Sequence, residues 1–324
     1  MRLLVTGGAG YIGSVCSAVA LAAGHQVTVF DNLGHGHRAG VPAGAELVEG
    51  DLLDEGALRD TLRPGFDAVL HFAALIVVPE SVAQPERYYR NNVVGTLNLV
   101  DAMRGSGVRR LVFSSTAAVY GDPETVPIPE SAATRPASPY GNSKLAVDRL
   151  LADECAAHGL GAVSLRYFNV GGALHGLGED HRPETHLIPS VLAAAAGRAS
   201  AVQLYGTDYD TADGTCVRDY VHIEDLAAAH FLALDALQPG RHDVYNLGSG
   251  SGFSVREVIE TVRRVTGREF AVEERPRRAG DSARLVASSE RIQSALGWVP
   301  RHGLEDIVRD AWQWMQEHPD GYAD

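Results

Sequence analysis

Short unbroken runs of valine, leucine and isoleucine alternate, through the first half of the chain, with longer segments whose apolar residues recur every three or four positions. The runs RLLVT, QVTVF, AELVE, DAVLHF, RRLVFSS and GAVSLRYF predict strands. They are continuous rather than alternating, as in strands covered on both faces. Helical spacing lies between them, notably after Gly10, around residues 81 to 104, and from Pro139 to about His158. Strand-helix alternation of this kind predicts βα units and a mostly parallel sheet.

After Asn169 the texture changes to a polar, glycine-rich loop, GGALHGLGEDHRPETH, followed by shorter elements. Residues 222 to 249 again show a helix and then a strand. The expected organisation is a first domain over 1–169, to which the chain returns at about 217–249, and a smaller domain built from 170–216 and 250–324.

Composition narrows the class. Of 324 residues, 28 are Lys or Arg and 41 are Asp or Glu, a formal charge of −13, so no basic face for nucleic acid or anionic membrane is expected. The three cysteines, Cys16, Cys155 and Cys216, form no CxxC pair, which argues against a zinc knuckle or a disulfide framework. The sequence opens directly on a strand and a glycine loop, and no run of about 18 apolar residues could span a bilayer. A cytoplasmic enzyme is expected.

The stretch LLVTGGAGYIGS places glycines between a strand and a helix in two frames, Gly8-Gly10-Gly13 and Gly7-Gly10-Gly13. Either frame lets a pyrophosphate approach the helix N-terminus. Strand two ends at Asp31, 18 residues after Gly13, where a carboxylate can bind an adenosine ribose diol and repel a 2′-phosphate. NAD is therefore expected rather than NADP. The fold class that follows is α/β, a Rossmann doubly wound, mostly parallel sheet with a smaller C-terminal substrate-binding domain. Asp51, in GDLLD, is either a second contact near adenine or an ordinary turn aspartate.

In SPYGNSK, Ser138 suits an N-cap and Pro139 the first helical position, which sets Tyr140 and Lys144 on one face a turn apart. Alone, such a pair is common surface decoration. A free tyrosine is only about 0.1% ionised at neutral pH, so as a base it needs a neighbouring cation, which Lys144 would supply. VFSSTAAVYG offers Ser114, Ser115 and Thr116 at a strand's C-terminal end to hold a reacting oxygen.

With TGGAGYIGS, DNL, GDLLD, HFAA, NNVVGTLNL, FSSTAAVYG, PYGNSK, LRYFNV, HLIP, GTDYDTADGTCVRDYVHIEDLAAAH, YNLGSGSGFSV and RRAGD in this order, the sequence resembles the extended short-chain dehydrogenase/reductase family, specifically its UDP-sugar 4-epimerase branch. The likeness spans nearly the whole chain. It implies NAD-dependent, reversible interconversion of UDP-galactose and UDP-glucose, with Thr116, Tyr140 and Lys144 as the catalytic trio. It implies cofactor contacts from Gly7, Gly10, Tyr11, Ile12 and Gly13 at the phosphates, and from Asp31 and Asn32 at the ribose. Asp51 and Leu52 would lie near adenine, with Phe72, Ala73, Ala74 and Asn91 along the cofactor. Lys144 would also reach the nicotinamide ribose, and Tyr167 would lie at the nicotinamide end.

For the UDP-sugar, the resemblance implies Asn169, His186 and Leu187 near diphosphate and uridine, Tyr205 stacked on uracil, Arg218 and Arg278 on the diphosphate, and Asp281 on ribose. Thr116 would hold the sugar oxygen. The position of Leu285 borders the sugar, where a bulky tyrosine restricts the pocket and a smaller residue admits N-acetylated hexosamines. The family also implies a homodimer through the 81–104 and tyrosine helices. Departures from its pattern are Leu75 and Ile76 in place of a lysine, Pro79 for glycine, and Gly172 where alanine is frequent.

Other readings remain open. A sister 4-epimerase of UDP-glucuronate or a UDP-pentose would share the trio. A 4,6-dehydratase needs an Asp-Glu pair after the hydroxyl residue, and here Ala117 and Ala118 follow Thr116. A non-catalytic NAD sensor would typically lack the tyrosine or lysine, and a net dehydrogenase would release NADH. The residues His175, Glu179, Asp180, His181, Glu184 and His186 lack the rigid spacing of a metal site, so none is expected. His35 and His37 fit a loop near the adenine pocket, and Trp312 and Trp314 a packed C-terminal helix.

Overall fold

The computed structural model describes residues 1–278 and 281–323. The chain begins β1 (Arg2–Thr6), α1 (Tyr11–Ala22), β2 (Gln26–Asp31), β3 (Glu46–Glu49), α2 (Glu55–Leu62) and β4 (Ala68–His71). It continues α3 (Val78–Ala83), α4 (Pro85–Tyr88), α5 (Gly95–Ser106), β5 (Arg110–Thr116), α6 (Pro139–His158), β6 (Gly161–Tyr167) and β7 (Asn169–Gly171). Next come α7 (Leu187–Ala195), β8 (Ala201–Tyr205), β9 (Val217–Arg218), β10 (Tyr220–His222), α8 (Ile223–Ala236) and β11 (His242–Leu247). The remainder is β12 (Phe253–Ser254), α9 (Val255–Thr266), β13 (Ala271–Arg275), β14 (Arg284–Leu285), α10 (Glu290–Leu296) and α11 (Leu304–Glu317).

Seven strands form one sheet in the order β11-β6-β5-β4-β1-β2-β3. Every pairing in it is parallel. The order reverses between β1 and β4, which opens a crevice at their C-terminal ends. Because side chains alternate across a strand, Leu3 and Val5 of β1 pack with the α1 and α8 side, while Leu4 packs with α2, α5 and α6. Both faces are thus covered, which is why the strands read as unbroken apolar runs. A further core, including Ile188, Val191, Val258, Val262, Ile307 and Val308, joins α7, α9 and α11 beside the small β12-β9-β14 and β13-β8 sheets.

Local chemistry explains the helix that carries Tyr140. Ser138 caps α6 by accepting a hydrogen bond from the Gly141 N–H at 3.2 Å, Pro139 opens it, and Gly159 at φ 72° ends it. The 81–104 segment is not one helix. Pro85 starts α4 afresh, and residues Tyr89–Val94 form a π-helical turn before α5. That turn carries Asn92 inward, where its side chain bonds the backbone of Leu75 in both directions (2.8 and 3.0 Å) and Ser143 Oγ at 3.0 Å. A π-turn displaces side chains from the regular helical register, and here it joins the β4 loop to α6.

Candidate active site

A cavity of about 930 Å³ opens at the C-terminal ends of the strands. Its wall near β1 is the glycine loop. Gly7 has φ +72°, and a Cβ there would lie 2.5 Å from the Ala73 nitrogen; a Cβ on Gly13 would lie 2.2 Å from the Gly7 oxygen. The loop can close against β4 and α1 only without side chains at these positions. Gly10, the N-cap of α1, provides no side-chain cap, so the helix's first N–H groups remain available to an anion.

At the end of β2, Asp31 is 8% exposed and accepts hydrogen bonds from the Ala9 and Leu33 N–H groups at 3.0 and 2.8 Å. Burial raises its pKa, and those two bonds oppose the rise. Asp31 therefore braces the phosphate loop as well as facing the cavity. Asn32 donates to Asp51 at 2.8 Å, and both line the cavity with Leu52. Phe72, Ala73, Ala74 and Asn91 continue along the wall, together with Tyr11 and Ile12. An unblocked helix N-terminus, a side-chain-free cradle and a carboxylate one strand away fit a dinucleotide, so these residues would hold NAD.

Tyr140 and Thr116 meet deeper in the cavity. The Thr116 hydroxyl hydrogen-bonds Tyr140 and lowers its pKa, but withdrawal of the ring from water has the larger, opposite effect, and the net shift is upward. Thr116 also accepts from the Ala118 N–H at 3.1 Å, which fixes its side chain. Lys144 lies behind them, 2% exposed, donating to the Ser114 carbonyl at 2.7 Å with its ammonium 4.8 Å from the Phe113 ring centre. Burial lowers its pKa to about 7, against an upward pull from Asp148 one turn along α6. Lys144 does not itself line the cavity.

The surrounding groups are held in place. His71 bonds Thr6 Oγ1 and Thr96 Oγ1 at 2.7 and 2.8 Å, and burial with the nearby Lys144 charge depresses its pKa to about 3. Tyr167 bonds His230 at 2.5 Å and Ser114 from the other side. Asp148 pairs with Arg166 at 2.9 Å, and Arg166 donates to Tyr120 at 2.9 Å.

Asn169, His186, Arg218 and Leu285 line the far side of the cavity. Leu285 and Arg218 are register partners in β14 and β9. Tyr205, Arg278, Asp281 and Leu187 do not line it. The Arg278 guanidinium lies 3.8 Å from the Tyr205 ring centre and covers the face expected to receive uracil, and Asp281 lies 3.6 Å from Arg218. Gly172 is accounted for locally, since at φ +94° a Cβ would meet the His222 ring at 2.5 Å. Trp314 is packed, donating to the Gly176 carbonyl at 3.1 Å, as expected of a core helix.

Two features of the cavity and its rim were not anticipated. Arg87 and Arg90 face the cavity mouth from α4 and the π-turn, a placement visible in sequence only as a three-residue spacing. Glu179, His181, Glu184 and His186 converge so that their ligand atoms all lie within 4.8 Å. Chain spacing gave no sign of this, because the loop has no helical period.

A doubly wound sheet whose crevice unites a phosphate cradle with a buried hydroxyl-tyrosine-lysine group defines a nucleotide-dependent enzyme of the reductase-epimerase class. A model of the NAD dependent epimerase/dehydratase family matches residues 3–248, and the chain belongs to that family. It is 57% identical to UDP-glucose 4-epimerase of Streptomyces lividans, covering 100% of this chain and 98% of that one. The UDP-glucose 4-epimerase of Corynebacterium glutamicum is 53% identical over 96% of this chain and 95% of its own. Among solved structures, UDP-glucose 4-epimerase from Brucella ovis in complex with NAD superposes with a TM-score of 0.92 at 45% identity, covering 96% of this chain and 97% of that chain. The enzyme from Bifidobacterium longum in complex with NAD+ and UDP gives 0.94 at 38% identity, covering 99% and 100%.

Proposed function

We propose that this chain interconverts UDP-galactose and UDP-glucose by inversion at C4, using tightly held NAD. The observation that carries the reading is the Thr116-Tyr140-Lys144 group with Ala117 and Ala118, and no acid, directly after Thr116. Full-length relatives named UDP-glucose 4-epimerase support it. Bound NAD supplies the redox partner that takes and returns the hydrogen at C4. Thr116 holds the 4-oxygen, and Tyr140 takes the proton from the 4-hydroxyl as a carbonyl forms. After the keto sugar turns over in the cavity, Tyr140 returns the proton to the same oxygen. The cycle leaves no net oxidation, so the cofactor is not consumed.

Phosphate contacts fall to Gly7, Gly10, Tyr11, Ile12 and Gly13, and ribose contacts to Asp31 and Asn32. Asn169, His186 and Arg218 receive the diphosphate end of the UDP-sugar. Tyr205, Arg278 and Asp281, outside the cavity wall, contribute to uridine and phosphate after Arg278 moves off the tyrosine ring. We assign 1–169 with the return at about 217–249 to the cofactor, and 170–216 with 250–324 to the nucleotide sugar. The exposed side chains Val82, Tyr89, Val94 and Leu97 favour a homodimer through the 81–104 segment. Three unpaired, buried cysteines suit the cytoplasm, and among the described residues no helix is long and apolar enough to cross a membrane.

The direct test is incubation of purified protein with UDP-galactose and no added NAD. UDP-glucose should accumulate to equilibrium without free NADH. No product with or without added NAD overturns the reading.

Leu285 adds a prediction of range. As a partly exposed aliphatic residue on the cavity wall, it leaves space that a tyrosine would fill. UDP-N-acetylglucosamine should be turned over, and Leu285→Tyr should lower kcat/KM for it by about 10-fold or more relative to UDP-galactose. Good UDP-galactose turnover with none of the N-acetylated sugar in the unaltered protein would refute this.

A further inference from the structure

We propose that Glu179, His181, Glu184 and His186 form a four-coordinate binding site for a divalent transition ion of the zinc type, fixing the loop at the rim of the cavity.

The separations carry the assignment. Glu179 Oε1 lies 3.0 Å from His181 Nδ1 and 2.8 Å from His186 Nδ1. Glu184 Oε1 lies 3.0 Å from His186 Nδ1, and Glu184 Oε2 lies 4.0 Å from His181 Nδ1. A tetrahedral ion with ligands at about 2.1 Å has ligand-to-ligand edges of about 3.4 Å, so the three shorter contacts, now hydrogen bonds, would open by about 0.4–0.6 Å to admit it. Two imidazole nitrogens and two carboxylates also match the donors zinc accepts, and together the carboxylates neutralise the ion.

The balance of donors and acceptors points the same way. Each imidazole can offer one N–H from Nδ1, yet each Nδ1 faces oxygens from both carboxylates. The Glu179 side chain is only 9% exposed, and within the cluster its charge is met by His181 and His186, the two positions whose protons an ion would replace. A cation at the centre satisfies all four groups at once. Its consequence is local order: His186 is the N-cap residue of α7, so a bound ion ties residues 179–186 to the start of that helix. Ligation through Nδ1 leaves the only N–H of a neutral imidazole on Nε2, fixing the tautomer of a residue that lines the cavity.

The proposal stands on the loop geometry and is independent of the substrate. The full-length protein, stripped with chelator, is titrated with Zn2+ alone by calorimetry, with metal content measured after desalting. One equivalent should bind and raise Tm. His181→Ala and Glu184→Gln, each checked for native circular dichroism, should bind about 100-fold more weakly or worse and lose the Tm response. Because His222, Glu224 and His302 form a second metal-sized group, His302→Ala is the control and should bind as the unaltered protein does. Absence of stoichiometric zinc, undiminished binding in Glu184→Gln, or loss in His302→Ala in place of the loop variants would overturn the assignment. The Glu184→Gln result decides the matter if His181→Ala does not fold.

Discussion

Tyr140→Phe should lower turnover of UDP-galactose by about 10²–10⁴-fold while leaving the fold, the melting temperature and the bound nucleotide essentially unchanged. The substitution removes one oxygen whose hydrogen-bond partner is Thr116, and a phenylalanine ring fills the same space. Without the hydroxyl, the sugar 4-hydroxyl keeps Thr116 as a hydrogen-bond partner but loses the base that takes its proton, so the loss should fall on kcat more than on KM. The pH dependence gives a second readout. Burial holds the tyrosine pKa above its ordinary value, and a base works only when deprotonated. Turnover by the unaltered enzyme should rise with pH on its acid side, and the residual rate of the phenylalanine variant should lack that rise. Near-normal turnover, or an unchanged pH profile at reduced rate, would remove Tyr140 from the role of base.

The strands were legible because both sheet faces are covered, and a run such as AVLH needs no tertiary information to be recognised as fully buried. The tyrosine helix was equally plain, since Ser138, Pro139 and Gly159 act through local geometry. The stretch from 81 to 104 was less so. Apolar spacing there is helical, but a π-turn changes register without changing composition, and what stabilises it is Asn92 reaching Leu75 and Ser143 across the fold. The Glu179–His186 loop escaped for a related reason. Convergence of side chains from an irregular backbone depends on its dihedral angles, which residue spacing does not report. The Tyr205–Arg278 stack shows the same limit, because motif matching assigns each residue a ligand without showing that the two first engage each other.

The chemistry was legible in its parts but not in its charge state. Sequence marks Lys144 as the cation expected beside Tyr140, whereas burial lowers its pKa to about 7. An ammonium this deep is retained at a cost to stability. That cost predicts the behaviour of Lys144→Met, which should lose about 10²–10⁴-fold in turnover yet be at least as stable as the unaltered protein near pH 7. The sign follows from the lysine's two states. Its folded pKa of about 7 is below the ordinary lysine value of 10.5, so the unfolded chain binds the proton more readily between those values. The penalty is therefore full below about pH 7 and fades as pH rises toward the unfolded value. At about 1.4 kcal/mol per pH unit it amounts to several kcal/mol, partly offset by the Ser114 carbonyl left without its donor, which costs about 1–3 kcal/mol. Methionine should thus stabilise the protein by about 1–3 kcal/mol at pH 6, with the gain disappearing or reversing near pH 10, in denaturation experiments at matched nucleotide content. A variant destabilised at pH 6 and recovering at pH 10 would show that Lys144 is bound in place by favourable charge interactions rather than kept there for its action on Tyr140.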